Sequence, residues 1–144
     1  MRKLFGSLDN RLCEGAIIGE VKIGAGVTEL MYSDRHAYTI VAIPDSKHII
    51  IRECTAIRID GNGASDCQAY EYQTQEKKSY TQEDLKEDSL TYILMSDRRK
   101  KQIKKYGIGE NEKVLTLTKN GYKEMGNCNG FMVGKRDEYY DYSF

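Results

Sequence analysis

The chain has 144 residues and equal numbers of basic and acidic side chains, so its formal net charge is zero. A chain of this length forms one domain with a modest core, and we treat residues 1–144 as a single domain. The zero net charge supplies no broad basic field, which argues against a partner made of duplex nucleic acid. The mean hydropathy is −0.63, and no run is apolar and long enough for a membrane span. The first residues also lack the apolar segment of a signal peptide, so we expect a cytoplasmic protein without a membrane partner.

The first half of the chain predicts short β-strands separated by turns. Strands are expected at 16–22, 27–32, 37–43, 48–53, 55–59 and 67–73, which are rich in β-branched and aromatic residues. Pro44 opens a polar loop over 44–47 and predicts a hairpin there. The run 60–63 is a further strong turn, and 60–66 matches a calcium-binding loop too poorly to be interpreted as one.

The middle of the chain, 74–112, is a charged segment that predicts a helical insertion at about residues 81–106. Thr81 and Asp84 approximate a capping box, and Ser96 could cap a second short helix that stops at Gly107. Acids crowd the start of this segment and bases its end, which suits a helix dipole. We expect one broken helix or two short ones.

The last part returns to strands, at 113–118, 131–135 and 138–144. The Asn-Gly pair at 120–121 predicts a hairpin with a type I′ turn. The end of the chain holds three of the eleven tyrosines and one of three phenylalanines, so we expect it to be docked. Alternation would then bury Tyr140, Tyr142 and Phe144 and turn Tyr139 towards solvent, a pocket or a partner. The fold class predicted is α+β, a mainly antiparallel β-sheet domain with a helical insertion.

Cofactor and metal motifs are not recognisable. The four cysteines are far apart, with no CxxC pair and no suitably placed histidine, which predicts reduced thiols and no structural zinc. The sequence contains no phosphate-binding loop and no dinucleotide fingerprint. We therefore expect neither a cofactor nor a bound metal.

Four polar residues in the first half could carry chemistry. His36 with Asp34 could form a base and its orienting acid, although two groups so close in sequence are more typical of a structural turn. Arg35 could contact an anion at a loop rim. Arg58 either faces solvent on a strand or holds a ligand phosphate, and the sequence leaves both open.

Four stretches taken together resemble a known family: 33–36, 56–70, the turn at 119–121 and the tyrosine-rich end 139–144. They are similar to the first-described type of Thoeris anti-defence proteins of phages. Members of that family are homo-oligomeric sponges that sequester cyclic ADP-ribose isomers made by bacterial TIR enzymes, and in some cases cyclic oligonucleotides. The resemblance covers about 16–73 and 113–144, and leaves out the charged insertion.

The resemblance implies an anti-defence, nucleotide-binding protein that is not an enzyme. It implies ligand pockets at a subunit boundary, in a homodimer or a higher homo-oligomer within the host cytoplasm. It also implies phosphate binding by Arg58 and Arg136 and a polar ligand contact from Asn120. The aromatic that stacks on adenine is not identified by it, and the candidates are Tyr92 and the terminal tyrosines, among them Tyr139.

Two other functions stay open at this stage. The charge-segregated insertion could make the protein an inhibitor or adaptor that docks on another protein. Alternatively, His36 and Asp34 could cleave nucleotides. Because a family analogy is associational, the binding residues must be judged from the structure.

Overall fold

The computed structural model describes residues 8–64 and 67–140. In chain order its elements are α1 (Leu8–Cys13), β1 (Gly26–Leu30), β2 (Arg35–Asp45), β3 (His48–Arg58), β4 (Tyr70–Thr74), α2 (Leu90–Leu94), α3 (Asp97–Tyr106), β5 (Glu112–Thr118), β6 (Gly121–Lys123) and β7 (Gly130–Val133).

The strands form one antiparallel sheet that curls into a nearly closed barrel. The order is β6-β5-β3-β2-β1-β7, and β4 pairs with the outer half of β3. Each pairing between these strands is antiparallel. The predicted antiparallel β-sheet is therefore confirmed, whereas helix is a minor component within the part of the chain that the structure describes.

Residues 15–18 fill the gap between the two edge strands. The Ile18 amide donates to the Val133 carbonyl over 2.8 Å, and Ile17 bridges Val133 in parallel. Gly15 then meets β6: a Cβ added at Gly121 would lie 2.4 Å from the Gly15 carbonyl oxygen. The predicted strand at 16–22 is thus wrong as a regular strand. Its pairing ends because β7 ends at Val133, and Gly134 follows with a φ of 113°.

Two predicted strands, 48–53 and 55–59, are one strand. Cys54 does not interrupt the pairing, because it is buried and pairs with Thr74 of β4. The predicted 44–47 hairpin is confirmed, although its turn is tighter than expected: Pro44 and Asp45 still belong to β2. Asp45 accepts a hydrogen bond from the Lys47 amide over 2.8 Å and so closes the turn.

The hairpin at 119–122 is also confirmed, but its turn is not type I′. Gly121 has a φ of 96°, whereas no residue other than glycine in the described ranges has a positive φ. Asn120 therefore lacks the left-handed conformation that a type I′ turn requires.

The charged insertion is less helical than predicted. The capping-box bonds form, since Thr81 Oγ1 accepts from the Asp84 amide and Asp84 accepts from the Thr81 amide, each over 3.1 Å. Residues 81–88 nevertheless form only turns. Like charges four residues apart, Glu83 with Glu87 and Asp84 with Asp88, oppose a helix there.

The second predicted helix is confirmed as α3. Ser96 Oγ accepts from the Arg99 amide over 3.2 Å, and Gly107 ends the helix with a φ of 66°. None of the side chains of α2 or α3 is fully buried.

The barrel interior is apolar at one end. Its core side chains alternate along the strands, as expected when one face of a sheet is buried. The members are Val27, Tyr38, Ile40, Ile49, Ile51, Leu115, Tyr122, Phe131 and Val133. Within the described ranges no helix is long and apolar enough to cross a membrane.

The close approach of Gly15 and Gly121 gives a testable prediction. We expect Gly121→Ala to lower the free energy of unfolding by at least about 2 kcal/mol, because it combines a positive φ with a backbone clash. Gly61→Ala is the matched control, since a Cβ at Gly61 meets no atom within 4 Å. Urea denaturation measures both variants. Equal stability of the two would show that the closure of the barrel does not depend on this contact.

Candidate functional site

The chain end is docked as far as it is described. Three consecutive backbone amides donate hydrogen bonds. The Asp137 amide donates to the Thr28 hydroxyl, the Glu138 amide to the Tyr72 hydroxyl, and the Tyr139 amide to the Arg35 carbonyl. The Tyr140 amide donates to Gln68 over 3.1 Å. Tyr140 is nonetheless 52% exposed, so its predicted core position is wrong. Tyr139 is half-buried, and Tyr142 and Phe144 lie outside the described residues.

The docked end lies across a two-stranded ribbon made by β4 and residues 54–58 of β3. We call this the tyrosine ribbon. Its register places Tyr70 opposite Arg58 and Tyr72 opposite Ala56, on one half-buried face. Thr74 continues that face, and its hydroxyl lies 2.9 Å from the Thr39 hydroxyl of the barrel. The face therefore joins two tyrosines to the barrel wall.

Arg136 lies where the tyrosine ribbon meets the barrel. Its Nε donates to Thr39 Oγ1 over 3.0 Å, and its Nη2 donates to the Gly24 carbonyl over 2.7 Å. Space for this side chain comes from Gly26, where a Cβ would lie 2.7 Å from Arg136 Cγ. No carboxylate of the described residues lies within ion-pair distance of Arg136. Its guanidinium is half-buried and bonded to neutral groups, so no described carboxylate competes with an anion for it.

Arg58 lies at the far end of the same face and is already engaged. Its Nε and Nη2 donate to the two Asp60 oxygens over 2.8 and 2.9 Å. The Arg58 guanidinium, with the amides of Ala69 and Asn62, holds the pKa of Asp60 well below its usual range. Arg58 lies opposite Tyr70 at one end of β4, and Arg136 bonds to Thr39, which contacts Thr74 at the other end. Tyr70 and Thr74 are four residues apart, so about 13 Å of strand separates the two arginines.

Arg35 is held by an acidic partner as well. Its Nη1 donates to Asp137 over 2.5 Å, and its Nε donates to Asn10 Oδ1 over 2.9 Å. Backbone bonds in both directions pair it with Tyr139. Of the predicted site residues, Arg35 and Tyr139 are therefore neighbours.

Asn120 occupies a separate place. It lines an open cleft of about 780 Å³ between the β5–β6 turn and the segment around Gly15, together with Lys119, Lys123 and Ile17. That cleft lies beside the start of β7, because the Gly15 amide bonds to the Phe131 carbonyl. Arg136 is not among the residues that line this cleft.

Tyr92 lies outside the tyrosine ribbon and outside the Asn120 cleft. It belongs to α2 in the insertion, and Lys100 Nζ lies 4.2 Å from its ring centroid. This is a cation–π contact within the insertion.

A buried polar network, which the sequence did not predict, fills the other end of the barrel interior. Glu29 is 5% exposed and accepts from Tyr38 over 2.8 Å, Lys113 over 3.3 Å and Asn129 over 2.8 Å. Lys113 also donates to Glu124 over 3.1 Å. Burial by itself would raise the pKa of Glu29, but the bonds from Asn129, Lys113 and Tyr38 outweigh it, and the pKa is lowered. The signal in the sequence that could have identified this network was an acidic residue at an inward-facing position of an apolar strand.

His36 lies beside this network, with carboxylates other than the one predicted. Its Nδ1 is 2.9 Å from Glu138, and its Nε2 is 3.5 Å from Glu53. The hydrogen bond with Glu138 raises the pKa of His36 against the opposing effect of burial. Asp34 is not among these carboxylates, which removes the pairing on which the nucleotide-cleaving alternative rested.

Cysteines and acidic residues form no further centre in the described chain. None of the four cysteines is in a disulfide, and Cys54 is the buried one. Within residues 8–64 and 67–140, no group of three or more histidine, cysteine, aspartate or glutamate side chains is placed to hold a metal ion.

Comparison with known proteins gives no relative. Neither protein-family models nor curated proteins nor solved structures match this chain. The interpretation of the site therefore depends on its geometry and on the motif resemblance.

The buried network predicts a large effect of a nearly isosteric change. Glu29→Gln replaces one acceptor oxygen by a donor that faces Tyr38, Lys113 and two asparagines. We expect a loss of about 2–4 kcal/mol in the free energy of unfolding. Glu20→Gln is the control, because Glu20 forms an exposed pair with Lys22 at 3.8 Å. If both variants melt like the parent in calorimetry, Glu29 does not hold this end of the barrel together.

The His36–Glu138 pair predicts a pH effect. Because the folded-state pKa of His36 is raised above its usual 6.5, its contribution to stability is fully present below pH 6.5. That contribution is lost as the pH rises through the folded-state pKa. Glu138→Gln keeps an acceptor for the Ala37 amide, which bonds Glu138 over 3.1 Å, but removes the charge. NMR titration should give a lower His36 midpoint in this variant, and an unchanged midpoint would contradict the assignment.

Proposed function

We propose that this protein is a noncatalytic sponge that sequesters a cyclic ADP-ribose isomer in the bacterial cytoplasm during phage infection. Cyclic oligonucleotides of similar chemistry are further candidate ligands. The motif resemblance supplies the ligand class, and the arrangement around Arg136 supports it.

The observation that carries the proposal is the placement of Arg136. A cyclic ADP-ribose carries a pyrophosphate and an adenine, which call for an arginine fork and an aromatic face. Arg136 is held by Thr39 and Gly24 without a carboxylate partner in the described chain, and Thr74 connects it to the face of Tyr72 and Tyr70. Base stacking on an aromatic is worth about 1–3 kcal/mol.

Arg136 is the better primary phosphate contact of the two predicted arginines. Arg58 is bound by both oxygens of Asp60, so a phosphate would have to displace that carboxylate. We therefore assign Arg58 a secondary role, at the outer end of the tyrosine ribbon.

A second copy would complete the site. Arg136 does not line the cleft that holds Asn120, and Tyr92 belongs to the insertion, so one protomer offers separate fragments of a pocket. A homodimer or higher homo-oligomer can bring the Asn120 cleft of one copy to the Arg136 region of another. A cleft of about 780 Å³ has the size of ordinary small-molecule sites.

An inhibitor or adaptor that docks on another protein is the second candidate. The observation in its favour is the apolar exposure of α2, where Leu90 and Leu94 are 70% and 76% exposed. Exposed apolar side chains in one place are typical of interaction surfaces.

Calorimetry with cyclic ADP-ribose isomers tests the proposal. We expect the parent to bind, and Arg136→Ala to weaken binding tenfold or more, because a charge-assisted bond is worth about 1.5–3 kcal/mol. Lys135→Ala is the matched control, since Lys135 is the exposed neighbour of Arg136 and carries the same charge.

The fate of the ligand separates the candidate functions. A sponge releases the nucleotide intact after heat denaturation, and an enzyme releases a changed product. An adaptor never depletes the nucleotide. Binding by Arg136→Ala equal to that of the parent would refute the assignment of this site.

A further inference from the structure

The helix α2 exposes an apolar face that nothing in the described chain covers. Leu90, Ile93 and Leu94 are spaced at i, i+3 and i+4, which places them on one side of a helix. Their exposed fractions are 70%, 59% and 76%. Tyr92, by contrast, meets Lys100 of α3. Three large apolar side chains on one short helix are costly to leave in water.

Opposite charges flank this apolar face along the chain. The turns at 83–88 hold four acids and one lysine. The helix α3 holds six bases and one acid. Glu83, Glu87, Lys101 and Lys104 are exposed. None of these four forms an ion pair with a described residue. The two signs of charge are therefore separated along the chain, and these four side chains are not neutralised by an ion pair with a described residue.

We propose that the insertion, 81–106, is a self-complementary docking surface for a second copy of this chain. A twofold axis near α2 would pair the apolar faces of the two copies with each other. The same axis would bring the acidic turns of each copy to the basic α3 of its partner. An isologous interface must be complementary to itself. An apolar centre with an acidic segment on one side and a basic segment on the other has that property.

Charge complementarity favours a second copy over an unrelated partner. A surface with charges of one sign would select an oppositely charged protein. This surface carries an acidic segment on one side and a basic segment on the other, so a second copy rotated by 180° presents the opposite charge to each segment. The apolar area is small, so the association should be weak and strongly dependent on ionic strength. The interface is independent of the proposed nucleotide function.

Charge reversal in pairs tests the proposal without touching the apolar face. One variant carries Glu83→Lys and Glu87→Lys, and the other carries Lys101→Glu and Lys104→Glu. The first variant changes the net charge of the turns at 83–88 from −3 to +1, and the second lowers the net charge of α3 from +5 to +1. The strong attraction between an unchanged α3 and unchanged acidic turns is therefore kept only in a mixture of the two variants. We expect each variant alone to associate at least tenfold more weakly than the parent, and an equimolar mixture of the two to form a heterodimer.

Sedimentation velocity at about 10 mM ionic strength, where the Debye length is about 30 Å, is the measurement. Lys22→Glu with Lys47→Glu is the matched control, since both lysines are exposed and lie outside the insertion and outside the Asn120 cleft; it should associate like the parent. Circular dichroism checks that every variant is folded. Leu94→Asp should also weaken association, through the apolar face.

Three results would overturn the proposal: a monomeric parent at low ionic strength, reversal variants that associate like the parent, or a mixture that forms no heterodimer. A parent dimer that is insensitive to all of these changes would place the contact elsewhere in the chain. Nucleotide binding by the reversal variants, measured in parallel, reports separately on the proposed sponge.

Discussion

The burial of the Glu29 carboxylate is the constraint on which the barrel depends. A carboxylate that is 5% exposed is tolerated only when hydrogen bonds and an opposite charge replace its water. Tyr38 supplies one bond from β2, Lys113 supplies charge from β5, and Asn127 and Asn129 supply bonds from the loop before β7. These donors come from distant parts of the chain. The network can be satisfied only when the strands have reached their native order, so it selects one barrel arrangement among apolar alternatives.

The chain end connects the barrel to the candidate ligand surface. Asp137 and Glu138 bond to Arg35 and His36 of β2, and the Glu138 amide also bonds to Tyr72 of the tyrosine ribbon. The end therefore connects the barrel wall with the ribbon, and Arg136 immediately precedes it. The position of Arg136, the proposed phosphate contact, depends on the whole sheet, because the barrel, the ribbon and the chain end each fix one side of it.

The two proposals assign different tasks to different parts of the molecule. The barrel and ribbon carry the arginines and tyrosines that suit a phosphorylated nucleotide. The insertion carries an apolar face between opposite charges, and none of the side chains of its two helices is fully buried. A surface that the protomer does not use for its own core is available for association.

The sequence by itself determined most of the strands, both hairpins and the start and end of α3, because these depend on local alternation, turn residues and capping side chains. It also pointed to Arg136, but not to the neutral acceptors that hold it. Only the tertiary structure decided that 16–22 is no regular strand, that Glu138 and not Asp34 meets His36, and that Tyr140 is exposed. Each of these depends on which distant segment lies beside the residue in question. The strand β7 is too short to pair with more of 16–22, and the docked chain end places Glu138 beside His36, although about a hundred residues separate them in the sequence. Local propensity carries no information about such pairings, since burial and hydrogen bonding are settled only when the whole sheet has formed.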